Sequence, residues 1–255
     1  MHNPRSIVIT GASSGIGESL ALAYAAPGIS LALSGRDEAR LAGVADRCRG
    51  AGAAVIAERV DAADRDAMAK WLGRINAATP VDLMIANAGI AARAPEGRDV
   101  PELTKLTLDV NLHGVLNSIQ PLIEPMIARR RGQLVIMSSL AAFRGFAGAA
   151  AYCASKAAVR VWGEGIRNEL AAYDVAVNIV CPGFVVSRIT AENKFRMPFL
   201  MEGGPAAAII KRGLERNKSR ISFPRPMAAA LWLLAALPPG WTDPFMRQMP
   251  KKGGG

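Results

Sequence analysis

Between a short apolar run and a helical pattern, the chain reads Thr10-Gly11-Ala12-Ser13-Ser14-Gly15-Ile16-Gly17. Glycines at such a junction allow a tight turn and a close approach of the backbone to a ligand. The helix that begins here offers free N–H groups and the positive end of its dipole to an anion. The spacing G-x-x-x-G-x-G therefore predicts a loop that binds the phosphates of a dinucleotide. Glycine at a strand-to-helix turn can also serve steric needs alone, so the loop needs support from the rest of the chain.

Strand-like and helical segments alternate around this loop. The predicted strands are Ser6 to Thr10, Ile29 to Ser34, Ala54 to Val60, Val81 to Ala86, Leu134 to Met137 and Val175 to Val180. The predicted helices are Ile16 to Ala26, Asp37 to Arg49, Arg65 to Ala77, Pro101 to Arg130 and Ala150 to Tyr173. Apolar strands that alternate with helices are typical of a parallel sheet covered on both faces. The sequence thus predicts a single α/β domain with a doubly wound, Rossmann-like parallel sheet, which binds ligands at the carboxyl ends of its strands.

The end of the second predicted strand bears on the choice of dinucleotide. Sites specific for NAD place an acidic side chain there, which holds the ribose 2′-hydroxyl. In this chain Ser34 and Gly35 leave that place without a carboxylate, and Arg36 supplies a planar cation suited to phosphate. The pattern favours NADP(H) over NAD(H), with Ser34 as a further hydrogen-bond donor. The alternative is that Arg36 is a solvated turn residue; Asp37 is predicted to cap the next helix.

A second group of polar residues follows the fifth predicted strand. Ser139 ends that strand, and Tyr152 and Lys156 lie on the helix after it. Positions i and i+4 share one face of a helix, so both side chains can enter one pocket. An ammonium near a phenol is expected to lower the phenol pKa from its ordinary ~10, which makes tyrosine usable as an acid or base. Ser139 is expected to hold the substrate oxygen by a hydrogen bond.

With these motifs the sequence resembles the short-chain dehydrogenase/reductase family, in its single-domain form, from Arg5 to about Ser187. The resemblance depends on several motifs in a fixed order. They are Thr10 to Gly17, Asp61, Asn87-Ala88-Gly89, Asn111, Ser139, Tyr152 with Lys156, and Pro182-Gly183.

The resemblance implies roles for the matching residues. The catalytic set would be Asn111, Ser139, Tyr152 and Lys156, with Asn111 anchoring a water that links Lys156 to solvent. Asp61 would bind the adenine, and Asn87 would line the cofactor or stabilise the central strand. The full cofactor-binding set would be Gly11, Ser13, Ser14, Gly15, Ile16, Gly17, Ser34, Arg36, Asp61, Asn87, Ala88, Gly89, Tyr152, Lys156, Pro182, Gly183, Val185 and Ser187.

The implied activity is the NADPH-dependent reduction of a carbonyl to an alcohol, or the reverse, with Tyr152 as acid and base. Substrate choice is expected between Ser139 and Tyr152, where Phe143 and Phe146 lie, and in residues 188–225, which in this family cover the substrate. Apolar residues in the covering segment favour an apolar or lipid-like substrate. Two alternatives are an isomerase or dehydratase on the same fold, and a regulatory protein that binds NADP without turnover. The single domain is predicted to span residues 1–250, with 251–255 as a disordered tail.

Composition and charge indicate which kinds of partner the protein is expected to have. The chain has 255 residues, 3 cysteines and a net charge of +10. Residues 188–255 hold 12 Lys and Arg against 4 Asp and Glu. A solvated cationic surface is the simpler interpretation, and peripheral contact of the basic, apolar C-terminal region with an anionic membrane is the alternative. Neither a nucleic-acid motif nor a metal-ligand cluster stands out, so we expect no nucleic-acid partner and no metal.

Cysteine usage and the termini indicate where the protein works. The cysteines are odd in number and lack metal-like spacing, which favours a reducing compartment. The first residues show no secretory signal pattern, so we expect a cytoplasmic protein. The family resemblance implies a homodimer or homotetramer formed through the long helices that contain Asn111 and Tyr152.

Overall fold

A parallel β-sheet forms the centre of the protein, in a computed structural model that describes residues 3–92, 100–191, 193 and 195–248. In these residues seven strands pair in the order β3-β2-β1-β4-β5-β6-β7, and every pair is parallel. The strands are β1 Ser6–Thr10, β2 Ser30–Gly35, β3 Ala54–Arg59, β4 Leu83–Ala86, β5 Gly132–Met137, β6 Val175–Pro182 and β7 Arg220–Phe223. The predicted single-domain, doubly wound sheet is confirmed. The predicted tail, residues 251–255, lies outside the described residues.

Helices cover both faces of the sheet. They are α1 Gly15–Tyr24, α2 Glu38–Gly50, α3 Arg65–Ala78, α4 Pro101–Leu108, α5 Gly114–Ala128, α6 Ala150–Leu170, α7 Arg188–Ala191, α8 Gly203–Glu215, α9 Arg225–Ala236 and α10 Pro239–Gln248. None of the helices formed by the described residues is long and apolar enough to cross a membrane.

Alternation along the strands divides the core into two layers. In β1, Ile7 and Ile9 point to one face and pack with Leu20 of α1, while Val8 points to the other. Trp71 of α3, 1% exposed, belongs to that second layer. Burying a large apolar side chain contributes roughly 1.5–3 kcal/mol. The central strands β1, β4 and β5 are buried along their whole length, whereas the edge strand β3 is partly exposed.

The helix predicted from Pro101 to Arg130 is wrong in one respect, because it is interrupted. A π-helical turn, Asp109–His113, separates α4 from α5. Asn111 lies in this turn, fully buried, and its side-chain amide pairs with the backbone of Ile90. Such single turns accommodate an extra residue and are frequent near functional sites.

Elements after Val180 were not predicted individually. Strand β6 continues to Pro182 because β7 pairs with its last residues. Strand β7 has only four residues and alternates between half-buried and buried positions, which is too short a pattern to identify alone. Helix α8 packs against α1, and Gly203 at its start lies against Ser19.

Replacing Gly17 with alanine is expected to destabilise the fold. A Cβ atom at Gly17 would lie 2.5 Å from Nδ2 of Asn87 and closer still to the carbonyl oxygen of Gly11, so the backbone has to shift. We expect Gly17→Ala to lower the free energy of unfolding by roughly 1–3 kcal/mol in urea titrations. Gly43, in α2, has open space at its Cβ position and is the matched control. Gly43→Ala should raise stability by about 0.5–1 kcal/mol, and equal effects of the two changes would contradict the account.

Candidate active site

The glycine loop at the end of β1 is shaped by close backbone contacts. Gly11 and Gly15 have φ angles of 64° and 60°, which disfavour other residues. A Cβ atom at Gly11 would lie 2.7 Å from Cα of Ala88, directly after β4. The loop is therefore packed tightly against the residues that follow β4.

Asn87 joins the loop to the neighbouring strand. Its Nδ2 atom donates to the carbonyl oxygens of Thr10 at 3.0 Å and Gly11 at 3.1 Å. In return, the Thr10 hydroxyl accepts from the backbone N–H groups of Asn87 at 3.1 Å and Ala88 at 3.2 Å. Of the two roles expected for Asn87, the structure shows the stabilising one. Contact of Asn87, Ala88 and Gly89 with a cofactor stays a prediction.

The end of β2 supplies a second group of polar atoms beside the loop. The Ser34 hydroxyl is buried and has no hydrogen-bond partner within the described residues. A Cβ atom at Gly35 would lie 3.2 Å from the Ser13 hydroxyl, so the two segments touch. Arg36 is exposed, and no described carboxylate pairs with it. Asp37 accepts a hydrogen bond from Arg40 N at 2.9 Å, which confirms its predicted role as a helix cap.

Two further sequence-predicted residues border this region. Asp61, after β3, is exposed, and its Oδ1 atom accepts from Ala63 N at 3.0 Å. Ser187 approaches the glycine loop from the opposite side, since a Cβ atom at Gly15 would lie 2.9 Å from Cβ of Ser187. The structure thus brings Ser187 to the loop from a segment far along the chain.

The segment after β6 holds Ser187 through contacts that the sequence did not reveal. The Thr190 hydroxyl accepts from Ser187 N at 2.8 Å and donates to the Val185 carbonyl at 2.9 Å. Val185 is buried and bridges to Met201, while Gly183 N donates to Phe223 O at 2.7 Å. A hydroxyl three residues after Ser187, at a helix start, was the signal available for Thr190.

Ser139, Tyr152 and Lys156 come together at the end of β5. Ser139 caps the 3-10 turn Leu140–Ala142, and its Oγ atom accepts from Ala141 N at 3.1 Å. The Ser139 hydroxyl lies near the phenol of Tyr152 and acts to lower the pKa of that group. The ammonium of Lys156 donates to the Met137 carbonyl at 2.9 Å and lies 5.9 Å from the centre of the Tyr152 ring. The predicted grouping of these three side chains is what the structure shows.

Burial governs the protonation of both groups on α6. It lowers the pKa of Lys156 to about 8, because its ammonium is removed from water. It also raises the pKa of Tyr152, and the hydrogen bond with Ser139 offsets this only in part. The expectation that Lys156 lowers the Tyr152 pKa is therefore wrong for this structure. The ammonium is directed at Met137 O, and desolvation of the phenolate is the larger effect.

Asn111 is connected to the same site through Ser155. Its Oδ1 atom accepts from Ile90 N at 2.7 Å, and its Nδ2 atom donates to Ile90 O at 2.8 Å and Ser155 Oγ at 3.1 Å. Ser155 in turn donates to the Tyr152 carbonyl at 2.7 Å. A Cβ atom at Gly89 would lie 3.2 Å from Asn111 Oδ1 and 3.3 Å from Lys156 Nζ. Sequence reasoning missed Ser155, whose signal was a polar residue on the buried face of α6.

The pKa of Lys156 predicts a particular dependence of stability on pH. Its folded pKa of about 8 lies below its ordinary 10.5, so the unfolded chain binds more protons between these values. The Lys156 contribution to stability should therefore improve as pH rises through this window. Lys156→Met should remove the effect, so the wild type gains on the order of 2 kcal/mol relative to this variant from pH 8 to 10.

Lys70, exposed on α3, is the control for this measurement. In urea titrations across the same pH range, Lys70→Met should keep the wild-type slope. An unchanged slope in Lys156→Met would show that burial does not perturb the ammonium.

Comparison with known proteins assigns the chain to a family. The model of the short chain dehydrogenase family matches residues 5–197. A protein of Myxococcus xanthus named an uncharacterized oxidoreductase is 36% identical over 246 residues, which cover 96% of this chain and 97% of that protein.

Solved structures agree with this assignment. A short-chain dehydrogenase from Sphingobium yanoikuyae in complex with NADPH has a TM-score of 0.81 and 25% identity, with 98% of each chain covered. A 3-oxoacyl-[acyl-carrier protein] reductase with bound NAD from Brucella melitensis shares the fold, with a TM-score of 0.75, 24% identity and coverage of 87% of this chain and 90% of that one. The chain therefore belongs to the short-chain dehydrogenase family and is an oxidoreductase.

Proposed function

We propose that the protein reduces a carbonyl group to an alcohol, or catalyses the reverse reaction, with NADP(H) as cofactor and Tyr152 as the acid and base. The observation that supports this most strongly is that Ser139, Tyr152 and the buried ammonium of Lys156 come together, with Lys156 Nζ 5.9 Å from the centre of the Tyr152 ring. The group lies at the carboxyl end of the sheet, the edge that also bears the glycine loop.

The residues present fit a dinucleotide. Gly11, Gly15 and Gly17 give the loop the tight backbone that a phosphate-binding turn requires, and α1 begins directly after it with free N–H groups. Ser34 adds a buried hydroxyl without a described partner. When bound there, NADPH supplies the hydride that reduces the carbonyl carbon. The set proposed to hold it is the one named from the sequence, with Ser187 facing Gly15 across the loop.

The protein's own residues then act on the carbonyl oxygen. Ser139 accepts its backbone hydrogen bond from Ala141, so its hydroxyl proton can turn from the Tyr152 phenol to a substrate oxygen when one is bound. Tyr152 gives its proton to the same oxygen as negative charge develops there. Because burial raises the pKa of Tyr152, the phenol is protonated at neutral pH, the state needed for reduction. Lys156, with a pKa of about 8, exchanges protons readily near neutrality and can restore that of Tyr152.

Preference for NADP(H) is supported by the corner formed by β2 and the glycine loop. Gly35 provides no carboxylate to repel a 2′-phosphate, and Arg36 has no described ion-pair partner to compete for its guanidinium. The relative from Sphingobium yanoikuyae was solved with NADPH. That similarity is consistent with the proposal, which depends on Arg36 itself.

An apolar or lipid-like substrate is supported by the segment after β6. Phe184 and Phe195 stack edge to face with centroids 5.9 Å apart. Phe199 and Leu200 are exposed beside Met201, which pairs with Phe184 and Val186. Residues 192 and 194 of the predicted substrate-covering segment, 188–225, lie outside the described residues.

Helix α9 is buried on one side and exposes apolar side chains on the other. One side of α9 packs Met227 and Leu231 near Leu140, while Trp232 on the other side is 61% exposed. We propose a homodimer or homotetramer formed through the long helices that contain Asn111 and Tyr152. For the basic C-terminal region we propose a solvated surface, with peripheral contact with an anionic membrane as the alternative. Vesicle flotation with and without the residues after Arg225 separates these two interpretations of the C-terminal region. We place the enzyme in the cytoplasm because its three buried cysteines are free thiols.

Replacement of Tyr152 by phenylalanine tests the proposed reaction. With a panel of aldehydes, ketones, quinones, steroids and 3-oxoacyl thioesters, the wild type should consume NADPH. Tyr152→Phe should lower kcat by about 10²–10⁴-fold, because the proton donor is lost. NADPH binding, followed by nucleotide fluorescence, should persist in the variant.

Each other outcome of that experiment has a meaning. Tight NADPH binding without turnover of any carbonyl by the wild type would support a regulatory protein. Turnover without net NADPH consumption would support an isomerase or dehydratase. Full activity of Tyr152→Phe would exclude Tyr152 as the proton donor.

Replacement of Arg36 by leucine tests the cofactor preference. Loss of a guanidinium–phosphate contact should weaken NADPH binding by about 10- to 100-fold and leave NADH binding nearly unchanged. Arg40, four residues further on, pairs with Asp37 at 2.8 Å and is the matched control. Arg40→Leu should bind both nucleotides like the wild type. Equal weakening of NADPH and NADH binding in Arg36→Leu would contradict the assignment of Arg36 to the 2′-phosphate.

A further inference from the structure

The face of α6 that carries Tyr152 and Lys156 continues with two charged residues. Arg160 and Glu164 follow Lys156 at intervals of four, so the four side chains form one stripe along the helix. Arg160 Nη1 contacts Glu164 at 3.1 and 3.3 Å. Arg220, from strand β7, pairs with the same carboxylate. One glutamate thus holds two guanidinium groups next to the catalytic part of the helix.

Phe143 lies against both guanidinium groups. Cζ of Arg160 is 5.0 Å from the centre of its ring, and Cζ of Arg220 is 5.3 Å away. Nε of each arginine is buried and has no hydrogen-bond partner in the described part of the chain. Cation–π contacts are stronger when the cation is removed from water. The ring is therefore a specific partner of the two arginines. A ring held in this way has less surface available for the role in substrate choice that the sequence predicted for it.

A short, rigid connection leads from Phe143 to Ser139. The two residues flank the 3-10 turn Leu140–Ala142, which Ser139 caps through Ala141 N. Phe143 N donates to Leu140 O at 3.3 Å and closes the turn. Displacing the ring therefore displaces the turn, and with it the hydroxyl that is hydrogen-bonded to Tyr152.

The next residue fastens the same turn to the C-terminal helices. Arg144 donates to the Thr242 hydroxyl and, at 3.4 Å, to the Pro239 carbonyl. Thr242 is buried although it lies near the end of the described chain. The turn is thus held on one side by α6 and β7 and on the other by α10.

We propose that Phe143, held by Arg160, Arg220 and Glu164, is a positioning residue that sets the Ser139 hydroxyl against Tyr152. This inference depends on the proposed carbonyl chemistry for its effect on rate. Neither arginine touches the reacting atoms; both act through the ring and the turn. Glu164 and Tyr152 lie on the same face of α6. The contacts of Glu164 with the two arginines therefore fix Ser139 relative to the helix that carries the proposed proton donor.

A double-mutant cycle tests the proposal. Phe143→Leu should lower kcat about tenfold and leave the affinity for NADPH unchanged, as expected for one lost cation-supported contact near the chemistry. In a Ser139→Ala background the same change should alter kcat less than about twofold, because the hydroxyl that it positions is already absent. Phe143→Tyr, which keeps the ring, should restore most of the rate. Multiplicative effects of Phe143→Leu and Ser139→Ala would overturn the proposal.

A second pair of variants distinguishes the proposed positioning role from a general loss of activity caused by a core substitution. Glu164→Gln removes the charge that holds both arginines and should lower kcat in the same direction. Glu169→Gln, at an exposed position of the same helix, should match the wild type. Equal kcat values for Glu164→Gln and the wild type would show that the two arginines do not help to position Phe143.

Hydrogen exchange of the unliganded variants gives a reading that does not need activity. Phe143→Leu should speed amide exchange in residues 139–149 and leave the rest of α6 protected, whereas Glu169→Gln should change neither. If the wild type turns over no carbonyl, the proposed function fails. Amide hydrogen exchange then tests the positioning role of Phe143 by itself. Unchanged exchange of residues 139–149 in Phe143→Leu would overturn that role.

Discussion

The hydrogen bonds of the Asn87 side chain join the two central strands at the point where the winding of the sheet reverses. The connections that leave these two strands lead to opposite faces of the sheet, since α1 packs in one core layer and α5 in the other, and this opens the crevice in which ligands of such sheets bind. Here the crevice floor is fixed, because one amide holds two loop carbonyls at 3.0 and 3.1 Å. The four residues that leave β4 then contact in turn the glycine loop, Asn111 and Lys156. The glycine loop, Asn111 and Lys156 therefore meet on one piece of backbone.

Electrostatics at the site follow from exclusion of water more than from attraction between charges. Lys156 is 4% exposed, and its ammonium donates to the carbonyl of Met137. The phenol of Tyr152 is buried near the hydroxyl of Ser139. Burial favours the neutral form of each group, so the lysine pKa falls and the tyrosine pKa rises. The pKa of Lys156 thus falls below that of Tyr152, so the ammonium becomes the stronger acid of the two.

Much of the fold and the principal site could be predicted from local patterns. The loop at Thr10 to Gly17 and the i, i+4 pair on α6 are short-range motifs whose physical meaning is contained in their spacing. The π-helical turn, Ser155, Thr190 and the arginines around Phe143 were missed because they depend on partners 3 to 56 residues away in other elements or turns. The pKa of Tyr152 was misjudged for the same reason: helix spacing indicates which groups are close, while burial depends on everything packed above them.

The segment between Val185 and Met201 leaves and re-enters the domain at nearly the same place. Val186 N donates to Met201 O at 2.9 Å, and Met201 N donates to Phe184 O at 3.0 Å, so the base of this excursion is closed by the backbone itself. A loop whose ends are already tied adds only about 0.6 kcal/mol of closure entropy for each doubling of its length. Changes of length between Phe195 and Leu200 should therefore cost the fold little, while Ser187 and Thr190 keep their places at the glycine loop. Shape and length can thus vary in one part of the excursion independently of the part that contacts the sheet edge.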